Sequence, residues 1–574
     1  MSLVRDSSRL TERCEKFSVK VTQALNVVAF FGLFLVLFEP SLGGNYWFQW
    51  AIAVTTEPIY GIFLLHLCLA FLLAPSIYSF LQGNLLDLLF FVPLFTISFG
   101  GVHPAHIFLV RQFVYYFNCY LEESTFSHLA NAISERPARL ISFSFLGVIL
   151  TGAFLLVLPV SIAQGQQPSL LTALFTSTSA VCVTGLNVVD PGSYFSRFGQ
   201  IVVMGLIQIG GLGIMTLSAG VMMLVGKRMA ITQRTVMQNV LDQTDLASLR
   251  NMLWQILKWT FIIESIGAIF LSWRFCVSNS QYSLSYGIYL GVFHAVSAFC
   301  NAGFTLFPDN LMSFSGDFAV NMTVMSLIVC GGLGFSVLSA MNGYFLGNRR
   351  GPADVHTRLV LITTVFLIFA GAFGIFLLEA GNSTWAHLTL GEKVMAAFFQ
   401  SVTTRTAGFN TVDMGVLKES TLFFMIILMF IGASPASTGG GIKTTTFAIM
   451  VLTLISQMQG KPQVVIFGRT ITGEIIVKAF LITAISASLV GVFSFLLLLT
   501  ENQPLSKLMF EVTSAFGTVG LSANLTPLLG SLSRILIIIL MYIGRIGPLT
   551  LALSFMNPPA RGDIQYPAAR VLVG

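Results

Sequence analysis

Charged side chains are scarce in this chain. Asp, Glu, Lys and Arg make up 9% of its 574 residues, whereas an average soluble domain contains about 25%. Hydrophobic residues make up 55%, and the mean hydropathy is +0.83. A soluble fold of this length needs more polar surface than this composition supplies. The sequence therefore excludes a soluble globular protein and predicts a polytopic integral membrane protein.

Residues that bind metals or perform catalysis are also few. The 7 histidines show no HExxH or comparable spacing, and the 7 cysteines are an odd number without a CxxC pair. Nucleophiles, carboxylates and metal ligands do not cluster in one part of the sequence. The net charge of +6 is spread over loops, so no basic stripe is available for nucleic acid. We expect no zinc site, disulfide framework, organic cofactor, nucleic-acid partner or enzymatic activity.

The first quarter of the chain differs in pattern from the rest. Residues 1–20 are basic, and the apolar run that follows lacks a small-residue cleavage site, which predicts a retained first span. Residues 21–121 contain four apolar blocks without internal similarity, and they predict additional N-terminal transmembrane helices. Four spans, or two spans with interfacial helices, fit equally well. These helices are either peripheral scaffold or a regulatory or partner-binding module, and the polar residues 122–138 form a linker.

After the linker, a segment with an aromatic start and a glycine near its end recurs four times. Its copies are "FTSTSAVCVTGL", "FHAVSAFCNAGF", "FFQSVTTRTAGF" and "FEVTSAFGTVGL". We call Gly185, Gly303, Gly408 and Gly520 the turn glycines, and they are 118, 105 and 112 residues apart. Such regular self-similarity indicates a structural repeat.

A second signature follows each turn glycine at nearly constant distance. It reads "QIGGLGI", "VCGGLGF", "FIGASPA" and "YIGRIGP", and its leading glycine lies 25, 28, 24 and 24 residues after the turn glycine. The two signatures define one unit that recurs four times. The predicted units are residues 139–228, 250–347, 357–459 and 474–574.

The apolar runs predict the architecture of each unit. A long apolar run precedes the first signature, a short helix such as Leu171 to Ala180 follows, and a second apolar run crosses the second signature. Two full spans per unit make the four units parallel, whereas an inverted repeat needs an odd number. We expect an all-α membrane protein with four helix–pore-loop–helix repeats in a pseudo-fourfold arrangement.

Basic residues indicate the orientation. They lie at the chain ends or between units, which places those loops and both termini in the cytosol. They are Arg136, Arg139, Lys227, Arg228, Arg234, Arg349, Arg350, Arg358, Lys461, Arg469 and Arg561.

The residues before the turn glycines are small or uncharged, with Arg405 as the exception. Non-helical backbone at membrane depth is tolerated where it lines a water-filled path, and rings of carbonyls can replace the hydration shell of K⁺. We therefore predict that the four turns form a selectivity filter that binds K⁺ through backbone oxygens alone. Its predicted members are Cys182, Val183, Thr184, Gly185, Cys300, Asn301, Ala302, Gly303, Thr406, Ala407, Gly408, Gly517, Thr518, Val519 and Gly520.

Six of these motifs together resemble the membrane subunit of the Trk/Ktr/HKT superfamily of cation transport proteins. They are "VTGLNVVD", "CNAGF", "TRTAGFNTVD", "GTVGL", "STGGGIKTTT" and "YIGRIGPLTL". The match runs from about Arg139 to the carboxyl end. The resemblance implies potassium uptake across the cytoplasmic membrane, a homodimer of pores within membrane lipid, and gating by a cytosolic nucleotide-binding ring subunit.

Within this superfamily, glycine in all four turns accompanies potassium preference, and serine in the first turn accompanies sodium. Gly185 thus favours potassium. The alternative is a sodium-permeable or ion-coupled transporter on the same scaffold.

The third unit contains a run of glycine and hydroxylated residues, 432–446, in the middle of its second apolar stretch. No regular helix survives this composition, and we expect only this unit to break its second helix. The run is either a gate below the filter, the role that the resemblance implies, or a simple kink. Its predicted gate residues are Gly432, Ser437, Thr438, Gly439, Gly440, Gly441 and Lys443.

Arg545 replaces a small residue of the other three units and is the other predicted gate residue. It either faces the path and repels cations, or it forms an ion pair or caps carbonyls. Lys443 reaches a carbonyl or the cytosolic side.

Five further acidic residues lie in the repeats. Asp190, Asp309 and Asp413 follow turn glycines, where they either attract cations to the outer mouth or cap helices. Glu511 either pairs with Arg405 to brace the filter or has contacts of its own. Glu264, inside an apolar run, is expected to be a structural partner.

Overall fold

The computed structural model describes residues 137–213, 246–278, 283–345, 354–382, 385, 388–548 and 550–551. Segments 1–20 and 21–121, most of the linker 122–138, and part of the basic loops lie outside the described residues. The basic residues concerned are Arg136, Lys227, Arg228, Arg234, Arg349, Arg350 and Arg561.

Helices make up most of the described chain. The first unit contains α1 (Pro137–Val157), α2 (Leu170–Val181), α3 (Pro191–Tyr194) and α4 (Arg197–Leu212). The second contains α5 (Leu246–Ser278), α6 (Leu284–Phe299), α7 (Phe318–Leu333) and α8 (Phe335–Phe345). The third contains α9 (Val355–Glu379), α10 (Leu390–Thr403), α11 (Glu419–Phe430) and α12 (Thr444–Met458). The fourth contains α13 (Gly473–Thr500), α14 (Leu505–Gly517) and α15 (Ser531–Ile546).

Between the third and fourth units lies a small antiparallel hairpin. Its strands are β1 (Val465–Ile466) and β2 (Arg469–Thr470), and Ile466 is opposite Arg469.

Hydroxyl side chains begin three of the four short helices. Ser169 accepts a hydrogen bond from the Thr172 N–H at the start of α2, and Ser283 accepts one from the Tyr286 N–H at the start of α6. Thr389 forms a capping box with Glu392 at the start of α10. These side chains satisfy N–H groups that have no partner within a helix. The short helix predicted at Leu171 to Ala180 is confirmed as α2.

Three helices in the described part of the chain are long and apolar enough to cross a bilayer: residues 254–277 of α5, α9 and α13. Large apolar side chains on them face outward, with Phe261 exposed by 73% and Phe373 by 66%. Such exposure suits contact with lipid rather than water. The helices α7 and α8 pass the same test as a pair, although a bend of 101° separates them.

The expectation of an unbroken second helix outside the third unit is wrong. The helices α4, α7 and α15 end at Gly213, Gly334 and Gly547, where φ is 80°, 91° and 90°. An α-helix cannot continue through a residue with positive φ, a conformation that glycine adopts at little cost. The third unit differs in its longer insertion after Phe430. The second helices therefore have 12 to 16 residues before the break, not the predicted full span.

The two signatures pack against each other within a unit. Phe175, Phe293, Phe399 and Phe510, at the start of the first signature, are fully buried. In three units, a Cβ placed on the leading glycine of the second signature would collide with the carbonyl oxygen near the end of the short helix. These pairs are Gly210 with Val181, Gly331 with Phe299, and Gly544 with Phe516. Close packing of the second helix against the short helix explains the constant spacing between the signatures.

Candidate functional site

The four turn glycines lie beside one another in a closed ring. For each of them, the nearest atoms to an added Cβ belong to the turn of another unit. The neighbours are Ala302 and Gly303 for Gly185, Ala407 and Gly408 for Gly303, Val519 and Gly520 for Gly408, and Thr184 and Gly185 for Gly520. The distance from this Cβ to the neighbouring carbonyl oxygen is 2.7 Å at both Gly303 and Gly408. The ring therefore closes in chain order, from the first unit to the fourth and back.

All four turns have the same backbone conformation. The residue two positions before the glycine has positive φ in every unit, at 56°, 60°, 72° and 50° for Val183, Asn301, Thr406 and Thr518. The turn glycines have φ of 93°, 67°, 78° and 94°. A left-handed non-glycine residue costs roughly 1–2 kcal/mol. Such strain is concentrated at functional sites, and here it recurs in all four units.

The N–H groups of the turns bond back to the short helices. The N–H groups of Thr184, Ala302, Ala407 and Val519 donate to carbonyls of Ser179, Ser297, Thr403 and Ser514, at 2.7, 2.8, 3.0 and 2.8 Å. The hydroxyls of these same four residues also bond to the turn. Ser179 and Ser514 each accept from the turn glycine N–H at 3.0 Å, while Ser297 and Thr403 donate to Phe304 and Phe409 carbonyls.

Our sequence prediction missed these four hydroxyl residues. The signal was present, because a serine or threonine recurs five or six positions before each turn glycine.

The carbonyl groups of the turns are the ones left without partners. The carbonyls of eight buried turn residues, two in each unit, accept no hydrogen bond from the described residues. They belong to Val183, Thr184, Asn301, Ala302, Thr406, Ala407, Thr518 and Val519. An unpaired buried carbonyl costs roughly 1–3 kcal/mol, so a ring of such carbonyls favours an electropositive ligand. The short helices also end at these turns, and helix C-termini carry partial negative charge. The site can therefore bind a dehydrated cation.

Two more hydroxyls contribute to this polar ring. The side-chain oxygens of Thr184 and Thr406 are buried and have no hydrogen-bond partner.

In the first, second and fourth units, the residue three positions before the turn glycine lies at the end of the short helix. Cys182 and Cys300 are the C-caps of α2 and α6, and Gly517 is the last residue of α14. The thiol of Cys300 lies 3.8 Å from the Glu264 carboxylate and 3.6 Å from the Gln208 amide oxygen. Gln208 Nε2 donates to both oxygens of Glu264, at 3.1 and 3.2 Å. Glu264 is thus a structural partner, as expected.

The predicted gate residues form a loop from Ile431 to Lys443 between α11 and α12. A bridge between Ile431 and Ile442 closes its base, where the Gly432 N–H donates to the Ile442 carbonyl at 2.8 Å. Most of the loop is buried. We call these residues the intramembrane loop.

The intramembrane loop contacts the second, third and fourth units next to the ring. The Thr438 N–H donates to the Gly331 carbonyl at 3.3 Å, and the Gly440 N–H donates to the Thr518 hydroxyl at 3.0 Å. A Cβ added to Gly439 would meet the hydroxyl of Thr406. Further bonds run from the Ser434 N–H to the Gly332 carbonyl and from the Phe335 N–H to the Ala436 carbonyl. The loop therefore packs directly against the turns that contain Thr406 and Thr518.

Both cationic gate candidates bond to carbonyls. Arg545 donates from Nη1 to the Thr438 carbonyl and from Nη2 to the Gly210 carbonyl. Lys443 Nζ donates to the Gly439 carbonyl at 2.7 Å. Arg545 thus ties the intramembrane loop to the second helix of the first unit. Carbonyl capping, one of the predicted alternatives, is the observed contact.

The three outer carboxylates act as caps. Asp190 accepts from the Gly192 N–H at 3.1 Å and Asp309 from the Ser313 N–H at 2.8 Å. Asp413 accepts from the Gly415 N–H and from Asn524 Nδ2, both at 2.8 Å, and so joins the third unit to the fourth. All three carboxylates are half-buried rather than enclosed.

The proposed pairing of Arg405 with Glu511 is wrong. Arg405 is buried and donates to the Thr364 carbonyl at 3.4 Å. Glu511 is buried too, and it accepts from the Ser522 hydroxyl at 2.5 Å, the Ala523 N–H at 3.0 Å and the Thr526 hydroxyl at 2.6 Å. Each side chain stabilises its own unit, because local donors and acceptors lie closer than the other charge.

Clusters of metal-binding side chains are absent from the part of the chain that the structure describes. No three His, Cys, Asp or Glu side chains there are grouped so that they could hold an ion, and Cys182, Cys276, Cys300 and Cys330 are free thiols.

Comparisons with known proteins agree with this geometry. The family described as "TrkH: Cation transport protein" matches residues 141–561. The Ktr system potassium uptake protein B of Bacillus subtilis (strain 168) is 42% identical over 440 residues, which cover 76% of this chain and 97% of that protein. The protein of the same name from Vibrio alginolyticus is 42% identical over 439 residues, covering 76% of this chain and 94% of its own.

A solved structure has a similar fold. The crystal structure of the potassium transporter TrkH from Vibrio parahaemolyticus aligns with a TM-score of 0.55 at 17% identity, covering 93% of this chain and 99% of that one. At this identity the likeness shows the fold alone.

Proposed function

The chain belongs to the TrkH family of cation transport proteins, and from this membership we propose that it takes up potassium through a selective path formed by the four turns. The family is one of membrane cation transporters and not of enzymes. The names of the relatives, which are potassium uptake proteins, support potassium as the substrate. The protein is a multi-pass membrane protein of the cytoplasmic membrane with both termini in the cytosol.

The observation that carries the proposal is the closed ring of eight carbonyls that accept no hydrogen bond from the described residues. Water must leave an ion before it enters such a ring, and the carbonyls replace the lost hydration shell. Two carbonyls per turn provide successive binding levels, so an ion passes from one level to the next instead of being trapped. The closed ring is an argument for the proposed arrangement of four parallel units around a pseudo-fourfold axis.

The outer carboxylates assist entry in this proposal. Asp190, Asp309 and Asp413 each keep part of their surface exposed while they cap local turns. A negative outer mouth raises the local concentration of cations. Capping and attraction are compatible, because the cap uses one face of the carboxylate.

The intramembrane loop and Arg545 form the gate. The loop packs against Thr406, Thr518 and Gly331, and Arg545 holds it to the first unit through the Thr438 and Gly210 carbonyls. A guanidinium beside the ion path also opposes a passing cation electrostatically. Opening requires the loop to leave the ring and Arg545 to release a carbonyl.

Other components complete the transporter. "Ktr system" in the names of two relatives indicates a system of several proteins, and we infer a cytosolic nucleotide-binding ring subunit that controls the gate. The membrane chain itself forms a homodimer in which each copy has its own path.

The test measures ion flux with the purified chain in proteoliposomes. We expect ⁸⁶Rb⁺ uptake that follows the K⁺ gradient, is blocked by excess K⁺ and is unaffected by excess Na⁺. Comparable uptake of ²²Na⁺, or ⁸⁶Rb⁺ uptake that requires a Na⁺ or H⁺ gradient, would favour the sodium-permeable or ion-coupled alternative. No uptake above empty liposomes, with folded protein, would contradict the proposal.

A further inference from the structure

The tip of the β1–β2 hairpin has an unusual residue in its turn. Ile466 pairs with Arg469, so Phe467 and Gly468 form a two-residue turn, and their φ values are 48° and 77°. Two positive φ values define a type I′ turn, for which Asn-Gly is the preferred sequence. A bulky residue at the first position is strained. The local backbone conformation therefore does not favour phenylalanine at this position.

Burial does not explain Phe467 either. Its side chain is 47% exposed, and the neighbouring Val465 is 59% exposed. The other face of the hairpin is well packed, since Val464 and Ile466 are buried against Leu359 of α9 and other apolar side chains. A firmly held hairpin thus presents an aromatic and an aliphatic side chain to its surroundings.

Basic side chains lie near this apolar tip in the chain. Lys461, Arg469 and Lys478 are exposed, and the Arg358 guanidinium lies 5.8 Å from the centre of the Phe467 ring. Glu474 is the single acidic residue between positions 461 and 478. The hairpin and the start of α13 therefore combine exposed apolar side chains with a net positive charge.

The hairpin lies where membrane helices end. It joins α12 to α13, and apolar side chains are exposed on both sides of it, with Met458 at 89% and Val477 at 66%. Exposed apolar side chains thus occur on the hairpin and on the ends of both helices that it joins. Aromatic side chains and basic residues at such positions are typical of contact with lipid headgroups.

We propose that the hairpin, residues 461–472, binds anionic phospholipid headgroups at the membrane surface. Phe467 and Val465 enter the interfacial layer, while Lys461, Arg469 and Lys478 contact phosphate groups. The proposal rests on the cytosolic orientation proposed above, because the cytoplasmic leaflet is the one that carries anionic lipids. It does not depend on which ion the chain transports.

A folded protein partner suits this surface less well. A stable protein interface buries about 800 Å² on each side, and a tip of a few exposed residues between two lipid-facing helices is small for that purpose. Lipid requires no such area.

The experiment compares hydrogen exchange of residues 461–472 in the full-length chain within nanodiscs of phosphatidylcholine alone and with added phosphatidylglycerol. We expect slower exchange with phosphatidylglycerol, and high salt should remove the difference because it screens the charges. Arg469→Gln should weaken the effect about fivefold, the factor expected for one basic residue at an anionic surface.

Phe467→Asn separates lipid binding from folding of the hairpin. Asparagine suits a type I′ turn better than phenylalanine, so the hairpin should stay folded while the response to phosphatidylglycerol decreases. Lys507→Gln in α14, on the opposite membrane face, is the matched control and should respond as the unchanged chain does.

Equal exchange in the two lipid mixtures would overturn the proposal. Protection that is the same in both mixtures and appears only when a soluble protein is added would also overturn it, and would assign the hairpin to a protein partner. Because exchange is measured without ion flux, these outcomes are independent of the test of potassium uptake.

Discussion

The turn glycines are the residues at which backbone freedom is essential. Each has positive φ, and each lies so close to a neighbouring carbonyl that any Cβ would collide with it. The positive φ and the close carbonyl both disfavour a residue that has a Cβ, so even alanine would displace the turn. The spacing of the carbonyls therefore depends on these four positions, and in the proposed function so does the discrimination between ions.

The substitution Gly185→Ser should lower the preference for Rb⁺ over Na⁺ about tenfold, which corresponds to ~1.4 kcal/mol. Its side chain would press on the Ala302 carbonyl and force a residue other than glycine to φ of 93°. Uptake of ⁸⁶Rb⁺ and ²²Na⁺ in proteoliposomes measures this preference. Gly205→Ser in α4 is the control, since nothing lies within 4 Å of its added Cβ. An unchanged ion preference in Gly185→Ser would count against the filter assignment.

Arg545 stands out for a different reason, because its charge is held by carbonyls and not by an acid. Replacement by alanine should release the Thr438 and Gly210 carbonyls, loosen the intramembrane loop and remove a positive charge from the path. We expect ⁸⁶Rb⁺ flux to rise about tenfold, equivalent to a barrier lower by ~1.4 kcal/mol.

The matched control for Arg545→Ala is Arg534→Ala in the same helix. Arg534 also caps backbone carbonyls, those of Leu529 and Pro527, but it does not contact the loop. Equal flux increases in both variants would show that loss of an arginine from α15 acts through helix stability and not through the gate.

Among the larger elements, the intramembrane loop packs so closely at Gly440 that there is no room for a side chain at this position. A Cβ added to Gly440 would lie 2.9 Å from Thr518 Cγ2 and 3.2 Å from its Cβ. The Gly440 N–H bond to the Thr518 hydroxyl requires this close approach. The run of three glycines at 439–441 thus allows the loop to fit beneath the turns.

Gly440→Ala should push the loop away from the fourth turn. We expect higher resting ⁸⁶Rb⁺ flux together with a loss of roughly 1–3 kcal/mol in stability, the usual cost of overpacking. Flux assays and thermal unfolding measure the two effects. Gly491→Ala in α13 is the control, because nothing lies within 4 Å of its added Cβ and alanine suits a helix better than glycine. Lower flux in Gly440→Ala would indicate that the loop does not obstruct the path.

For the molecule as a whole, we expect a cation bound in the ring of carbonyls to stabilise the fold. Four units, each about a hundred residues long, come together at their turn glycines, which lie beside one another in the ring. A cation bound there contacts all four at once and should stabilise the folded chain by mass action.

Thermal unfolding in detergent should therefore depend on the ion. With K⁺ or Rb⁺ at about 100 times its dissociation constant, the expected stabilisation is ~2.7 kcal/mol. Choline at the same ionic strength is the control, because it is too large to enter a ring of carbonyls. The Gly185→Ser chain should show a smaller K⁺ effect. Identical midpoints in K⁺ and choline would mean that the ring binds no ion at these concentrations.

The sequence by itself determined the class of the protein, and it predicted the recurring pattern and the four turn glycines. Composition reflects the solvent around a protein, and both signatures are local patterns in which backbone conformation depends on a few adjacent residues. The short helix at 170–181 and the turn after it were predictable for that reason. The breaks at Gly213, Gly334 and Gly547 are also local, and a positive-φ interpretation of these glycines would have found them.

Only the tertiary structure decided how the units meet and which groups pair across them. Arg545 reaches a carbonyl 335 residues away, and Arg405 bonds to Thr364 rather than to Glu511. Such choices depend on distances between segments that are remote along the chain, where several partners are chemically equivalent. Packing selects among them, because a buried charge must bond to the oxygens that the fold brings within reach.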